Sequence, residues 1–125
     1  MRNKQDYEKF IEEVFDIHRD IRYAELFDSN CKRLGGGMRP GVASLDPPEV
    51  SAEVDVETAK FGLLLLQNRT YYGELDHVFA SMEKVNVIVL PVGDKVLVVA
   101  LDPPTGLDIL PQLKKMAAKI SQFLK

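Results

Sequence analysis

KVNVIVLPVGDKVLVVALDPP, residues 84–104, decides the fold. Two apolar runs, residues 85–90 and 96–101, flank Gly93-Asp94. A connection that short joins only antiparallel neighbours, so the stretch reads as a β-hairpin. Neither run alternates apolar with polar residues as a sheet with one wet face would. Both faces of the hairpin must therefore be covered, which predicts a sheet sandwiched between helices. Pro91 cannot donate to a ladder, so its strand is predicted to end at Leu90 or to bulge there.

The flanking segments supply the covers. Between residues 4 and 18, Tyr7, Phe10, Ile11, Val14, Phe15 and Ile17 recur at helical spacing, with Glu8, Lys9, Glu12, Glu13 and Asp16 on the other side. That is an amphipathic helix with one buried face. Residues 21–27 read as a strand, 28–30 as a turn and 31–34 as a shorter return strand at the sheet edge. A second helix is expected to start between Ser51 and Asp55 and to end near Asn68. Residues 71–82 read as a third strand with Leu75, His77 and Phe79 on its inner face. The hairpin continues it into a meander. A last helix then runs from Asp108, its N-cap, to Leu124, burying Ile109, Leu113, Met116, Ala117, Ile120 and Leu124. The predicted class is therefore α+β, an α/β/α sandwich of element order αββαβββα. Its five-stranded antiparallel sheet has spatial order 2-1-5-4-3, with helices one and three on one face and helix two on the other.

At 125 residues the chain reads as a single domain, large enough to bury a core without disulfides or metal. A net charge of -3 argues against a nucleic-acid partner, which needs a concentrated basic surface. No apolar run is long enough to cross a bilayer and the N-terminus has no signal-peptide core, so no membrane partner and a cytoplasmic protein are expected.

Residues with chemical potential are few and scattered. Cys31 stands alone, which excludes an internal disulfide and any cysteine-based metal pattern. Gly35-Gly36-Gly37-Met38-Arg39-Pro40-Gly41 lacks the Lys-Ser/Thr pair of a phosphate loop and does not lead directly into a helix, so it reads as a flexible exit from the edge strand. His18 is expected to pack or cap at the end of the first helix, and His77 to be hydrogen-bonded in the core. Leu-Asp-Pro-Pro occurs at residues 45–48 and again at 101–104, each time where the chain leaves an extended segment for a helix. Lys114, Lys115, Lys119 and Lys125 make the last helix basic on its outer face, in keeping with its dipole. With no nucleophile–base pair and no ligand set, neither an enzyme nor a bound cofactor or metal is expected.

The second helix is the exception to these ordinary readings. Phe61-Gly62-Leu63-Leu64-Leu65-Leu66 is apolar around nearly the whole circumference, more than one sheet can cover; either other parts of the chain bury it deeply or, the favoured reading, one side lies on the sheet and the other on a second copy. On this reading Leu63→Asp or Leu66→Asp splits the dimer.

The strand and turn IRYAELFDSNCKRLGG at residues 21–36, this apolar helix and the meander ending GDKVLVVALD at residues 93–102 together resemble the roadblock family of dynein-light-chain and GTPase-regulator domains. Such domains usually carry a glycine where Asn30-Cys31 stands. The resemblance implies a profilin-like fold and a homodimer, or a heterodimer with a paralogue, joined through the second helix and third strand. It also implies a non-enzymatic platform for small Ras-like GTPases or their regulators. The residues expected at the interface are Phe61, Leu63, Leu64, Leu66, Tyr71, Tyr72 and Val78. The alternative is a PAS-like small-molecule sensor, which has a similar strand and helix order and would use Tyr23, Tyr72 and His77 to line a pocket.

Overall fold

The computed structural model describes residues 4–123. In chain order the elements are α1 (Lys4–Phe15), β1 (Ile21–Phe27), β2 (Arg33–Met38), α2 (Pro48–Gln67), the one-turn α3 (Arg69–Tyr72), β3 (Val78–Ser81), β4 (Asn86–Val92), β5 (Lys95–Leu101) and α4 (Leu110–Phe123). All strand pairs are antiparallel, and the sheet order is β2-β1-β5-β4-β3. The hairpin strand β5 thus lies at the centre of the sheet, as its unbroken apolar run requires.

Alternate residues of β1, β4 and β5 feed two separate cores. On one face, Phe10, Ile11 and Val14 of α1 and Leu113 and Ala117 of α4 pack on Ile21, Leu26, Ile88, Leu90, Leu97 and Val99. On the other, Ala59, Leu63 and Leu66 of α2 pack on Tyr23, Phe27, Val89, Val96 and Val98. The expected distribution of two helices and one therefore holds.

Several boundaries differ from those read in the sequence, each for a local reason. The strand β2 does not stop at Leu34 but runs through the glycines to Met38. A Cβ on Gly36 would meet Ala24 O at 2.2 Å, so its φ of +114 and its contact with β1 both demand glycine. The glycine run is thus part of the edge strand and not an exit from it. Helix α2 starts at Pro48, before Ser51, with Pro47 at the N-cap and no side-chain cap. Proline suits that position because the first helical amide has no partner to lose. Tyr71 and Tyr72 belong to α3 and not to a strand: Gly73, at φ 84, ends that turn, and β3 begins only at Val78.

Pro91 is paired with Val96 inside β4. Because β3 faces only residues 86–89 of β4, Pro91 lies where that side of the strand has no neighbour, and its missing amide costs nothing there. A 3₁₀ turn, Leu107–Ile109, precedes α4. Asp108 does not cap the helix; its Oδ1 accepts from Gly106 N at 2.7 Å. Ile109, Leu113 and Ala117 are buried as expected, with Met116 and Ile120 packed against the same core. Leu124 and Lys125 lie outside the described residues.

Candidate interaction surface

Helix α2 separates its two faces by its own periodicity. Ala59, Gly62, Leu63 and Leu66 turn to the sheet, while Val50, Val54, Glu57, Phe61 and Leu64 recur at alternating spacings of four and three on the side away from it. Leu63 and Leu66 are only 4% and 2% exposed, whereas Phe61 and Leu64 are 52% and 58% exposed. An exposed large side chain is ordinary; a contiguous stripe of them along one helix is not. Seven and eight residues beyond Leu64, Tyr71 at 82% and Tyr72 at 75% exposure stand out on α3.

Of the residues expected at an interface, Leu63 and Leu66 are therefore corrected: they belong to the core beneath α2. The sequence pattern could not divide six consecutive residues between two faces without the position of the sheet. Val78 is half-buried on β3 and packs against the α2 core. Phe61, Leu64, Tyr71 and Tyr72 are the outward members. Val54, at 44% exposure, joins them on α2 and was missed because it lies before the apolar run. Its position four residues from Val50 and seven from Phe61 was the available signal.

The N-terminal half of α2 is tied to the sheet by a polar contact as well as by the packing of Val56. Arg33 Nη2 donates to Ala52 O at 2.6 Å. The other guanidinium nitrogen, Nη1, donates to Glu25, which is 4% exposed and also accepts from Tyr23 OH at 2.5 Å. Burial under this helix and the neighbouring Glu25 carboxylate push the Asp55 carboxyl up to about 6. Burial, with Glu25 beside it, also holds the Tyr23 hydroxyl far above its ordinary range. Arg33 thus ties the backbone of α2 to the buried Glu25 of β1.

The two sheet edges differ. At β2, Gly36 N donates to Glu8 Oε1 at 2.8 Å, and α1 packs along the strand. A side chain thereby occupies an amide that could otherwise template a further strand. At the far edge lies β3, paired on one side only, with β4.

The remaining candidates lie apart. His18 follows α1, where its Nδ1 accepts from Asp20 N at 3.0 Å, so it is a turn residue and not a helix cap. Cys31 sits at the opposite end of β1, with Sγ 3.5 Å from Val56 O. His77 does not enter the core: its Nδ1 lies 2.7 Å from Asp76 Oδ2 at the surface. Leu75 and Phe79 also pack against different cores, Leu75 at the margin of the α2 cluster and Phe79 against the α1–α4 one. Tyr23 is buried, Tyr72 exposed and His77 superficial, so the three do not converge on a pocket. An open groove of about 220 Å³ lies between α4 and β4, lined by Leu75, Leu90, Pro91 and Ala117 with the Lys114–Asp76 pair. Among the described residues no helix is long and apolar enough to cross a membrane, and no group of acids, histidines and cysteine is placed to hold a metal ion.

These layers and this strand order define a profilin-like architecture of the roadblock/LC7 type. A structure of MglB with a tetrameric arrangement is similar at 19% identity, covering 93% of this chain and 88% of that one with a TM-score of 0.66. The Roadblock/LC7 domain from Streptomyces avermitilis is similar at 11% identity, covering 94% and 96% with a TM-score of 0.66. LokiProfilin2, in its complex with rabbit actin, is similar at 13% identity, covering 98% of both chains with a TM-score of 0.60. No family profile matches the sequence, and sequence comparison finds no match to a characterised protein.

Proposed function

We propose that the chain works as one roadblock-like domain: a non-enzymatic, cytoplasmic dimeric module that scaffolds or regulates a small Ras-like GTPase. The observation that carries the dimer is the outward stripe of α2, where Phe61 and Leu64 stand more than half exposed above a core their neighbours fill. Covering such a stripe with a second copy removes apolar surface from water at roughly 25 cal/mol per Å². Tyr71 and Tyr72 of α3 add further exposed aromatic surface and β3 is an edge strand, while the β2 edge has an amide already taken by Glu8. The roadblock resemblance together with the shared fold supports a GTPase or GTPase-regulator partner. The fold's relative MglB, seen in a tetrameric arrangement, is in keeping with self-association.

Sedimentation velocity at tens of micromolar tests the reading. The wild-type chain is expected to run as a dimer, and Leu64→Asp as a folded monomer with an unchanged circular dichroism spectrum. Leu63→Asp is expected to unfold, because it places a charge at a buried core position. A strictly monomeric wild type at that concentration overturns the proposal. Pull-down of a GTP-loaded small GTPase by the wild-type chain tests the partner.

A further inference from the structure

Helix α4 carries charge of one sign that its dipole does not explain. Every charged residue after Asp108 is a lysine, although the chain as a whole carries -3. A helix dipole favours cations in the last turn, yet the last turn of α4 holds none. Lys114, Lys115 and Lys119, all exposed, stand further back along the helix. Lys114 is paired with Asp76, its Nζ 2.6 Å from Oδ1. Lys115 and Lys119 form no ion pair among the described residues.

Beside these lysines runs the open groove between α4 and β4. The buried Leu90 and Ala117 form its floor, and Pro91 and Ala118 stand at its walls. It opens where β3 pairs with β4 only over residues 86–89, so that residues 90–92 have no strand on that side. Asp76, the acid in its lining, has both oxygens engaged, Oδ1 by Lys114 and Oδ2 by His77. At about 220 Å³ the groove is smaller than the roughly 300–1,000 Å³ of sites that enclose small molecules. A space of that size suits one or two side chains of a docked segment. Ala118 follows Lys114 by four residues and Lys115 by three, so both lysines are its neighbours on the helix surface.

We infer that α4 and the open edge of β4 form a docking site for an acidic peptide segment of a partner protein. One apolar side chain of the segment seats between Pro91 and Ala118, and the carboxylates beside it meet Lys115 and Lys119. Charge complementarity selects this occupant: a basic segment is repelled by the two free amines, whereas an acidic one is steered to them and held in one orientation. The groove supplies what the charges do not. Exposed ion pairs contribute only about 0–1 kcal/mol each, so affinity depends on the apolar side chain leaving water. The site lies across the sheet from α2, and it stays open whether or not a second copy covers that helix.

Panning a phage-displayed library of random linear peptides on the wild-type chain tests this. Enriched sequences are expected to combine one bulky apolar residue with several acids close by. In fluorescence anisotropy, synthetic copies are expected to bind the Lys115→Glu, Lys119→Glu double variant about tenfold or more weakly than the wild type, and to bind the wild type less tightly as salt is raised. Ala118→Tyr fills the groove from an exposed position and is expected to weaken binding by a similar factor with an unchanged circular dichroism spectrum. Leu64→Asp, on the other side of the sheet, is expected to leave binding as it is. Enriched peptides that lack acids, or that bind both α4 variants as tightly as the wild type, overturn the proposal. So does a library that yields no binder, and so does adsorption to phosphatidylserine vesicles with no peptide enriched, which assigns the basic face to a lipid surface.

Discussion

Gly62 of α2 lies directly against Val89 of β4, so that a Cβ on Gly62 would stand 2.5 Å from Val89 Cγ1. The helix approaches the sheet this closely only because that position has no side chain, and the closeness lets Leu63 and Leu66 on either side reach the core. Gly62→Ala should therefore destabilise the fold despite alanine's better helix propensity. The propensity gain is about 1 kcal/mol, while forcing a methyl into a packed core costs about 1–3 kcal/mol. Urea unfolding is expected to show a net loss of up to about 2 kcal/mol, and an equal or higher midpoint would mean that α2 is free to rise.

Cys31 has a φ of 64, the left-handed conformation that glycine adopts without strain. The turn is closed by Asp28, whose Oδ1 accepts from the amides of Asn30 and Lys32, both at 2.9 Å. The chain thus holds this left-handed position with a residue less suited to it than glycine. Cys31→Gly is expected to stabilise by about 0.5–1 kcal/mol, and Cys31→Val to destabilise by about 1–2 kcal/mol because a β-branched side chain resists positive φ. Paired thermal melts would decide it. A Cys31→Gly variant less stable than the wild type would mean that the thiol's packing near Val56 outweighs the strain.

The sheet was legible because it depends on runs and spacings. Unbroken apolar stretches at β4 and β5 demanded cover on both faces, and short connections left little choice of strand order. Features that depend on an encounter between distant segments were not legible. Nothing local distinguishes Leu63, in the core, from Leu64, in solvent, until the sheet fixes which way α2 faces. The same holds for Gly35, Gly36 and Gly37: their composition is that of a loop, and only the backbone of Ala24 and Glu25 passing beside Gly36 turns them into strand. Glu25 is apolar in neither sequence nor chemistry, and its burial depends on Tyr23 and Arg33 arriving from two strands.

Arg39 illustrates the same limit and makes its own prediction. It sits in the glycine-rich stretch that invites a phosphate-loop reading, yet its guanidinium is spent within the protein. Nε donates to Ile21 O at 2.6 Å, and Nη2 donates to Phe15 O at 2.7 Å and His18 O at 2.8 Å. Phe15 closes α1, so Arg39 satisfies a carbonyl that the helix end leaves without a partner, and its charge lies 5.0 Å from the centre of the Phe15 ring. Lysine cannot reproduce this fork. Arg39→Lys is expected to cost about 2 kcal/mol in chemical unfolding and to speed amide exchange in the α1–β1 turn. Unchanged exchange there would show that the turn holds without the clamp.

Asp55 makes the stability of the fold depend on pH in an unusual direction. Its carboxyl is held at about 6 in the folded protein, against an ordinary 3.8, by burial first and by Glu25 second, with Asp46 adding to the rise and Arg33 and Tyr23 opposing it. A folded value raised above the unfolded one means that the folded state binds the proton more tightly. Stability is then greatest when Asp55 is protonated and falls as pH rises from about 4 through about 6. Most carboxylates act the other way, because a salt bridge lowers their folded value. Discounted for the partial exposure of the group, the contribution of Asp55 between pH 5 and pH 7.5 is about 1 kcal/mol. Asp55→Asn keeps the shape and removes the titration, so its urea midpoint should vary less between those two pH values than that of the wild type. It should also exceed the wild-type midpoint at pH 7.5, where the unmodified helix sets two carboxylates against the single guanidinium of Arg33. Equal pH slopes for the two proteins would place the dependence on another group and leave Asp55 ionised beneath α2 at no cost.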